Sequence, residues 1–256
     1  MTSSDSIPEN LRPTSSYLLS EFSYSFKPPY WFISGLIFNL ILAIGYGALF
    51  YLKGHHITHI GYIGAYFTSW IMADITTTNQ LGNEPARAKY LRSQGLKGRE
   101  ILWLRNVVLV VCVGAIGILS TFFAEILTNE SKDIIINLFI SFIPILPWLA
   151  FGNLISVYLP YEQLRLRIRL KRRDTWVRWL SRAAIPYLMS SAIVPLSVWP
   201  LVAVGIVHKS KLSVEILKEM ALVLVWTLLL GISISLYAYR KADEFALKFD
   251  ETIWNV

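Results

Sequence analysis

Six long apolar runs divide the 256-residue chain, and they constrain its fold more than any other feature. A helix rises about 1.5 Å per residue, so about 20 mostly apolar residues cross the hydrocarbon of a bilayer. The runs are Trp31–Leu52, Ile57–Thr78, Leu102–Leu127, Ile134–Leu159, Ala183–Val207 and Leu217–Tyr239. The second is weaker, with Asp74 and three threonines near its end, and the fifth is interrupted by Pro186, Pro195 and Pro200. Barrel strands are about ten residues long and alternate in polarity, whereas these runs are continuously apolar. The expected fold class is all-α: a polytopic membrane protein with six transmembrane helices. Composition agrees. Charged residues make up 16% of the chain, against about a quarter in soluble domains, and the mean hydropathy is +0.49.

Lysine and arginine orient such a bundle, because they concentrate on its cytoplasmic side. Six spans place both termini together. With the termini inside, 19 of the 24 basic residues fall on the inner face, leaving only Lys53, Lys132, Lys209, Lys211 and Lys218 outside. Multi-pass residence in the cell membrane with both termini cytoplasmic follows as the expectation. The net charge of +7 then reflects anionic lipid headgroups and not nucleic acid. Met1–Pro13 lacks the basic-then-apolar pattern of a cleaved signal. Ser15–Lys27 is aromatic-rich and suits a helix lying in the interface. The chain therefore divides into residues 1–30, a cytoplasmic tail and interfacial helix; 31–241, the six-span domain; and 242–256, a cytoplasmic C-terminal tail.

The segment between the second and third spans contains a short helix of its own. Asn83 is placed to cap it, Glu84 and Pro85 suit its first turn, and Gly95 is a natural stop. A second helix start at Lys97–Glu100 leads into the third span. The short helix reads either as a solvated connection or as a docking element for a cytoplasmic partner. Elsewhere, Cys112 reads as a small packing residue. Arg165–Arg173 alternates charge with Leu166, Ile168 and Leu170 on the membrane surface. Asp74 and Arg105 either pair or reach the interface separately. His55, His56 and His59 lack neighbouring acids for a metal site. Gly61/Gly64 and Gly114/Gly117 offer small faces for helix packing.

Two motifs carry a family resemblance. "TNQLG" (residues 78–82), followed by "LRSQGLKGREILWLRN" (residues 91–106), and "GNLISVYLP" (Gly152–Pro160) resemble segments of actinobacterial type-2 ABC permeases. That family has an Asn-Gln-(Leu/Phe)-Gly element, a short helix, a basic turn and a Lys/Arg-Asn pair opening the next span. It also has Gly-Asn-x-x-Ser-x-x-x-Pro after the fourth. The matching positions are Asn79, Gln80, Gly82, Arg105, Asn106, Gly152, Asn153, Ser156 and Pro160. Gly98 departs, standing where relatives often carry a basic residue.

The resemblance implies the permease subunit of an ATP-driven exporter, with Pro85–Gln94 as a cytoplasmic coupling helix seated in a cleft of a separate ATPase. Asn83, Glu84, Pro85, Arg87, Lys89, Tyr90 and Arg92 would make that contact. A second permease subunit, identical or homologous, would complete the path within membrane lipid. The chain has no Gly-x-x-x-x-Gly-Lys-Ser/Thr loop, so it would be no enzyme itself and would hold no cofactor or metal. ATP and Mg belong on the partner. The rival readings are a membrane-embedded lipid-processing enzyme, a non-ABC transporter and an assembly protein. The first usually needs clustered acids for metal. The second is expected to carry midplane charged or broken-helix sites in a repeat. Neither pattern stands out. Cargo is not legible.

Overall fold

The computed structural model describes residues 14–28, 31–52, 60–73, 78–128, 134–160 and 213–248, with short stretches between 171 and 203. Among these the chain is all-helical. The principal helices are α1 (Thr14–Ser25), α2 (Trp31–Leu52), α3 (Ile60–Met72), α4 (Pro85–Ser93), α5 (Gly98–Thr128), α6 (Ile134–Phe142), α7 (Ile145–Tyr158) and α8 (Val214–Lys248). Asp74, the three outer histidines, Arg165–Leu170, most of the proline-broken fifth run and residues 249–256 lie outside the described residues.

Three segments are long and apolar enough to cross a membrane: Gly98–Ile126, Ile134–Tyr158 and Val214–Ala242. The protein is membrane-embedded on this ground. Phe32–Gly45 in α2 is a further, shorter apolar stretch, and α3 spans 13 residues. The fourth apolar run, expected as one helix, is two: α6 and α7 are separated by a turn at Ile143–Pro144. Proline has no N–H to donate and its ring crowds the carbonyl four residues back. Pro144 therefore ends one helix and caps the next, accepting from the Trp148 N–H at 3.3 Å. The sixth helix also outruns its apolar run, continuing to Lys248.

The core sits where α3, α5, α6 and α7 pack together, with α8 laid along α7. Trp148, Ile71, Met72 and Leu109 are fully or almost fully buried in it. By contrast, only 17% of the α8 apolar window is buried, and Leu222, Leu229 and Ile232 face outward. Outward apolar side chains are what a lipid solvent permits, since exposure to acyl chains costs them nothing. At one end of the bundle, α1 packs across the start of α5 and α4 sits beside it. The candidate site lies there.

Candidate functional site at the end of the bundle

The short helix α4 is built by local chemistry. Pro85 stands in its first turn, where a missing N–H has no cost and its fixed φ favours the helix. Its C-terminus is a complete Schellman motif. Gly95 adopts φ +89°, its N–H donates to Arg92 O at 2.8 Å, and the Leu96 N–H donates to Leu91 O at 3.2 Å. Leu96 also packs on Leu91, the apolar contact that accompanies this stop. The observed end is one residue before the expected Gln94, which forms the C-cap. The start differs from expectation. Glu84, not Asn83, occupies the N-cap, without a side-chain cap bond. Asn83 is used elsewhere. Its N–H closes the preceding turn onto Asn79 O at 2.8 Å, and the residue is buried. The next helix, α5, starts with a more regular cap: the Lys97 N–H donates to the Glu100 carboxylate at 2.7 Å.

The turn before α4 is spliced into the bundle. The Gln80 N–H donates to Ser156 Oγ at 2.8 Å, and that hydroxyl donates to Thr78 O at 3.0 Å. One side chain on α7 thereby substitutes for a missing backbone ladder. From Gln80 a chain of side-chain hydrogen bonds crosses the helices. Its Nε2 donates to Asn106 Oδ1 at 2.7 Å. Asn106 Nδ2 donates to Tyr239 Oη at 2.8 Å and to Asn153 Oδ1 at 3.1 Å, and Asn153 Nδ2 donates to Ser235 Oγ at 3.2 Å. Four of the motif positions, Gln80, Asn106, Asn153 and Ser156, thus form one network linking the pre-α4 turn to α5, α7 and α8. Asn79, Gly82, Gly152 and Pro160 are buried around it. Bonds between buried amides favour one arrangement of the helices, and each one lost leaves a costly orphan.

A second cluster joins α1 to this end. Glu21 is almost fully buried and receives two guanidinium groups. Arg87 Nε donates to its Oε1 at 2.5 Å, and Arg105 Nε lies 3.7 Å from its Oε2. Arg87 also donates to Ser20 Oγ at 2.8 Å and lies between the rings of Tyr24 (4.6 Å) and Tyr90 (5.1 Å). Arg105 donates a further bond to Gln80 O, which connects the charged cluster to the amide network. Arg105 therefore finds its acid in α1. Burial pushes the Glu84 carboxyl above its usual range, against the opposing pull of Arg105, and burial likewise raises the Tyr24 phenol. A cavity of about 40 Å³ opens between α1, α2, the turn and α5, bordered by Glu21, Tyr24, Asn83, Glu84 and Arg105.

The seven residues that the resemblance assigns to a partner contact separate into three groups. Lys89 and Tyr90 are exposed, and Pro85, Glu84 and Arg92 are half-buried. Asn83 and Arg87 are turned inward, Arg87 onto Glu21. Ala88 and Leu91 anchor the inner face of α4. Sequence reasoning missed Glu21, Tyr24, Tyr239 and Ser235. The available signal was slight: Glu21 is the one acid in the aromatic stretch Ser15–Lys27, upstream of a basic insert. Among the described residues no cluster of His, Cys, Asp or Glu is arranged to hold a metal. Comparison with family profiles, curated proteins and solved structures returns no match.

Proposed function

We propose that this chain is the transmembrane subunit of a type-2 ABC exporter, with α4 as the helix that docks on a separate ATPase. The observation that carries this reading is the mounting of α4. Its inner face is anchored by Leu91 and by the Arg87–Glu21 pair, while Lys89 and Tyr90 point away from the bundle. A helix of nine residues is too short to persist alone in water. Here its stops, its anchors and the amide network behind it hold it rigid. A rigid helix with an exposed aromatic and a lysine is suited to fill a cleft on a partner and to pass that partner's movement onward.

In this reading α4 faces the cytoplasm, which the lysine and arginine distribution over six spans supports. Six spans from each of two permease subunits line the path, and ATP with Mg binds the motor subunits. Nucleotide-driven closure of the motors displaces α4. The displacement enters α5, α7 and α8 through Gln80, Asn106 and Ser156. A photocrosslinking amino acid at Tyr90, expressed in native membranes, tests the docking. The expected product is a covalent adduct with an ATPase carrying a phosphate-binding loop, absent when the same group replaces outward-facing Leu229. Adducts to lipid alone at position 90 would remove the docking role.

A further inference from the structure

Two polar atoms of opposite kind lie buried and unpartnered beside the cavity between α1 and α5. Asn83 Oδ1 and Arg105 Nη2 are buried and have no partner among the described residues, and both residues border the cavity. Asn83 is 7% exposed. One orphan is an acceptor and the other a cationic donor. A ligand that satisfies both must bring an acceptor, preferably anionic, together with a hydroxyl donor. Buried orphans of this kind are costly to keep, so a fold that retains both has a use for them or a resident to fill them.

Charge favours an anion. Arg87 and Arg105 face the single buried carboxylate of Glu21. The Glu84 carboxyl, its pKa raised by burial, borders the same cavity, and the guanidinium nitrogen left without a partner, Arg105 Nη2, is the group that calls for an anion. The stretch of α5 able to cross a membrane, Gly98–Ile126, has 29 residues, about 43 Å at 1.5 Å per residue, comparable to a bilayer with its headgroups. Arg105 sits seven residues from the Gly98 end of that stretch, about 10 Å along the helix axis, a position that suits contact with a lipid headgroup. Phe32, Val108 and Leu109 give the cavity an apolar wall. Its volume of about 40 Å³ holds about three water-sized groups, enough for a phosphate oxygen and a neighbouring hydroxyl but not a bulky quaternary amine.

We propose that this cavity is a binding site for a hydroxylated anionic phosphodiester, the headgroup of a phosphoglycerol lipid. The phosphate oxygen accepts from Arg105 Nη2, and a glycerol hydroxyl donates to Asn83 Oδ1. The site lies at the foot of α4, so an occupying lipid would brace the mounting of that helix. The proposal itself requires only that the chain sit in a bilayer.

The test uses the full chain purified in a mild detergent, with melting temperature and native mass spectrometry read after adding phosphatidylglycerol, phosphatidylcholine or soluble glycerol phosphate. Phosphatidylglycerol should raise the melting temperature more than phosphatidylcholine and remain bound through detergent release. Glycerol phosphate without acyl chains should act weakly; if it matches the lipid, the ligand is a free phosphate ester and the lipid assignment fails. Asn83→Asp places a negative charge beside the phosphate without changing size. It should weaken phosphatidylglycerol retention roughly tenfold, about 1.4 kcal/mol, while leaving the melting temperature in phosphatidylcholine close to that of the parent. Arg105→Lys keeps the charge and removes the second guanidinium donor, and should weaken retention in the same direction. Equal retention of both lipids by the parent chain, or undiminished selectivity in both variants, would mean that the cavity holds water only. Neither outcome bears on the ATPase docking of α4, which the crosslink at position 90 decides separately.

Discussion

The bundle buries polar groups in two places, and they are built in opposite ways. In the apolar body, α3, α5 and α6 meet through hydroxyls and glycines. Thr68 Oγ1 lies at hydrogen-bond distance from the carbonyls of Gly64, Ala65 and Ser141. Thr121 Oγ1 and Ser141 Oγ lie 2.8 Å apart, one donating to the other, and each is also within 2.8 Å of a carbonyl one turn back, Gly117 O and Asn137 O. Most of these bonds are to carbonyls within one turn, so the hydroxyls need little from other helices and the backbones approach closely. At the α4 end, long amide and guanidinium side chains join five helices, α1, α4, α5, α7 and α8, and border a cavity. A knot of small residues has no slack. A net of long side chains can change partners without unpacking helices. The contrast makes the first region the tighter of the two, and in the proposed function the second is the one that passes movement on.

The strongest way to break the contrast is to load the knot. A Cβ at Gly64 would fall on Ser141 Oγ and crowd Thr121 Oγ1 at 2.5 Å, and one at Gly117 would meet Thr68 Cγ2 at 2.8 Å. Gly64→Leu should abolish recovery of monodisperse protein. Gly64→Ala should cost at least the about 1–3 kcal/mol typical of overpacking, read as a lowered melting temperature in detergent. If either is silent, the helices are not closed as described.

The next largest effect belongs to Glu21. Glu21→Ala leaves two guanidinium groups without their buried acid, and breaking a buried pair costs about 3–5 kcal/mol. The double variant Glu21→Ala with Arg87→Ala should cost less than the sum of the single changes, because the two groups share one interaction. Additive losses would separate α1 from α4. Asn106→Leu should follow, at about 1–3 kcal/mol for the orphaned partners it leaves, and should loosen the α4 end while sparing the knot. Hydrogen exchange at residues 78–83 reads that difference directly.

The smallest effect is a pH dependence. Glu84 has its folded pKa raised above the ordinary value of 4.5. Between those two values the folded state binds more protons than the unfolded one, so stability falls as pH rises through that window. Glu84→Gln removes the charge and the loss with it. The variant should match the parent below pH 4.5 and melt progressively higher than the parent above it. A pH-independent difference would mean that Glu84 is solvated.

Much of this was legible because it is local. The extent of α4 follows from Pro85 and Gly95, whose backbone preferences act whatever surrounds them. Gln80, Asn106, Asn153 and Ser156 stood out as motif positions, and the structure brings them into one network. That Asn106 also binds Tyr239, 133 positions away, has no local signature. The same holds for Glu21, which reaches Arg87 across 66 positions. The capping role expected of Asn83 failed because the local turn that its N–H closes onto Asn79 O puts Glu84, one residue on, at the N-cap position. The break at Pro144 was legible in principle, since a proline inside an apolar run ends a helix as readily as it kinks one. Three of the six runs are long and apolar enough in the structure to cross a membrane; the six-span layout belongs to the proposal, since residues 53–59, 74–77 and most of the fifth run lie outside the described residues.

The central claim is that movement of α4 enters the bundle through the polar junction. Hydrogen exchange on the membrane complex, with and without a non-hydrolysable ATP analogue, measures it most directly. The account predicts that the nucleotide changes protection together in residues 78–83 and in the turns of α5 and α8 that carry Asn106 and Tyr239, and that Asn106→Leu confines the change to α4. Protection changes limited to α4 in the parent chain, with α5 and α8 untouched, would contradict it.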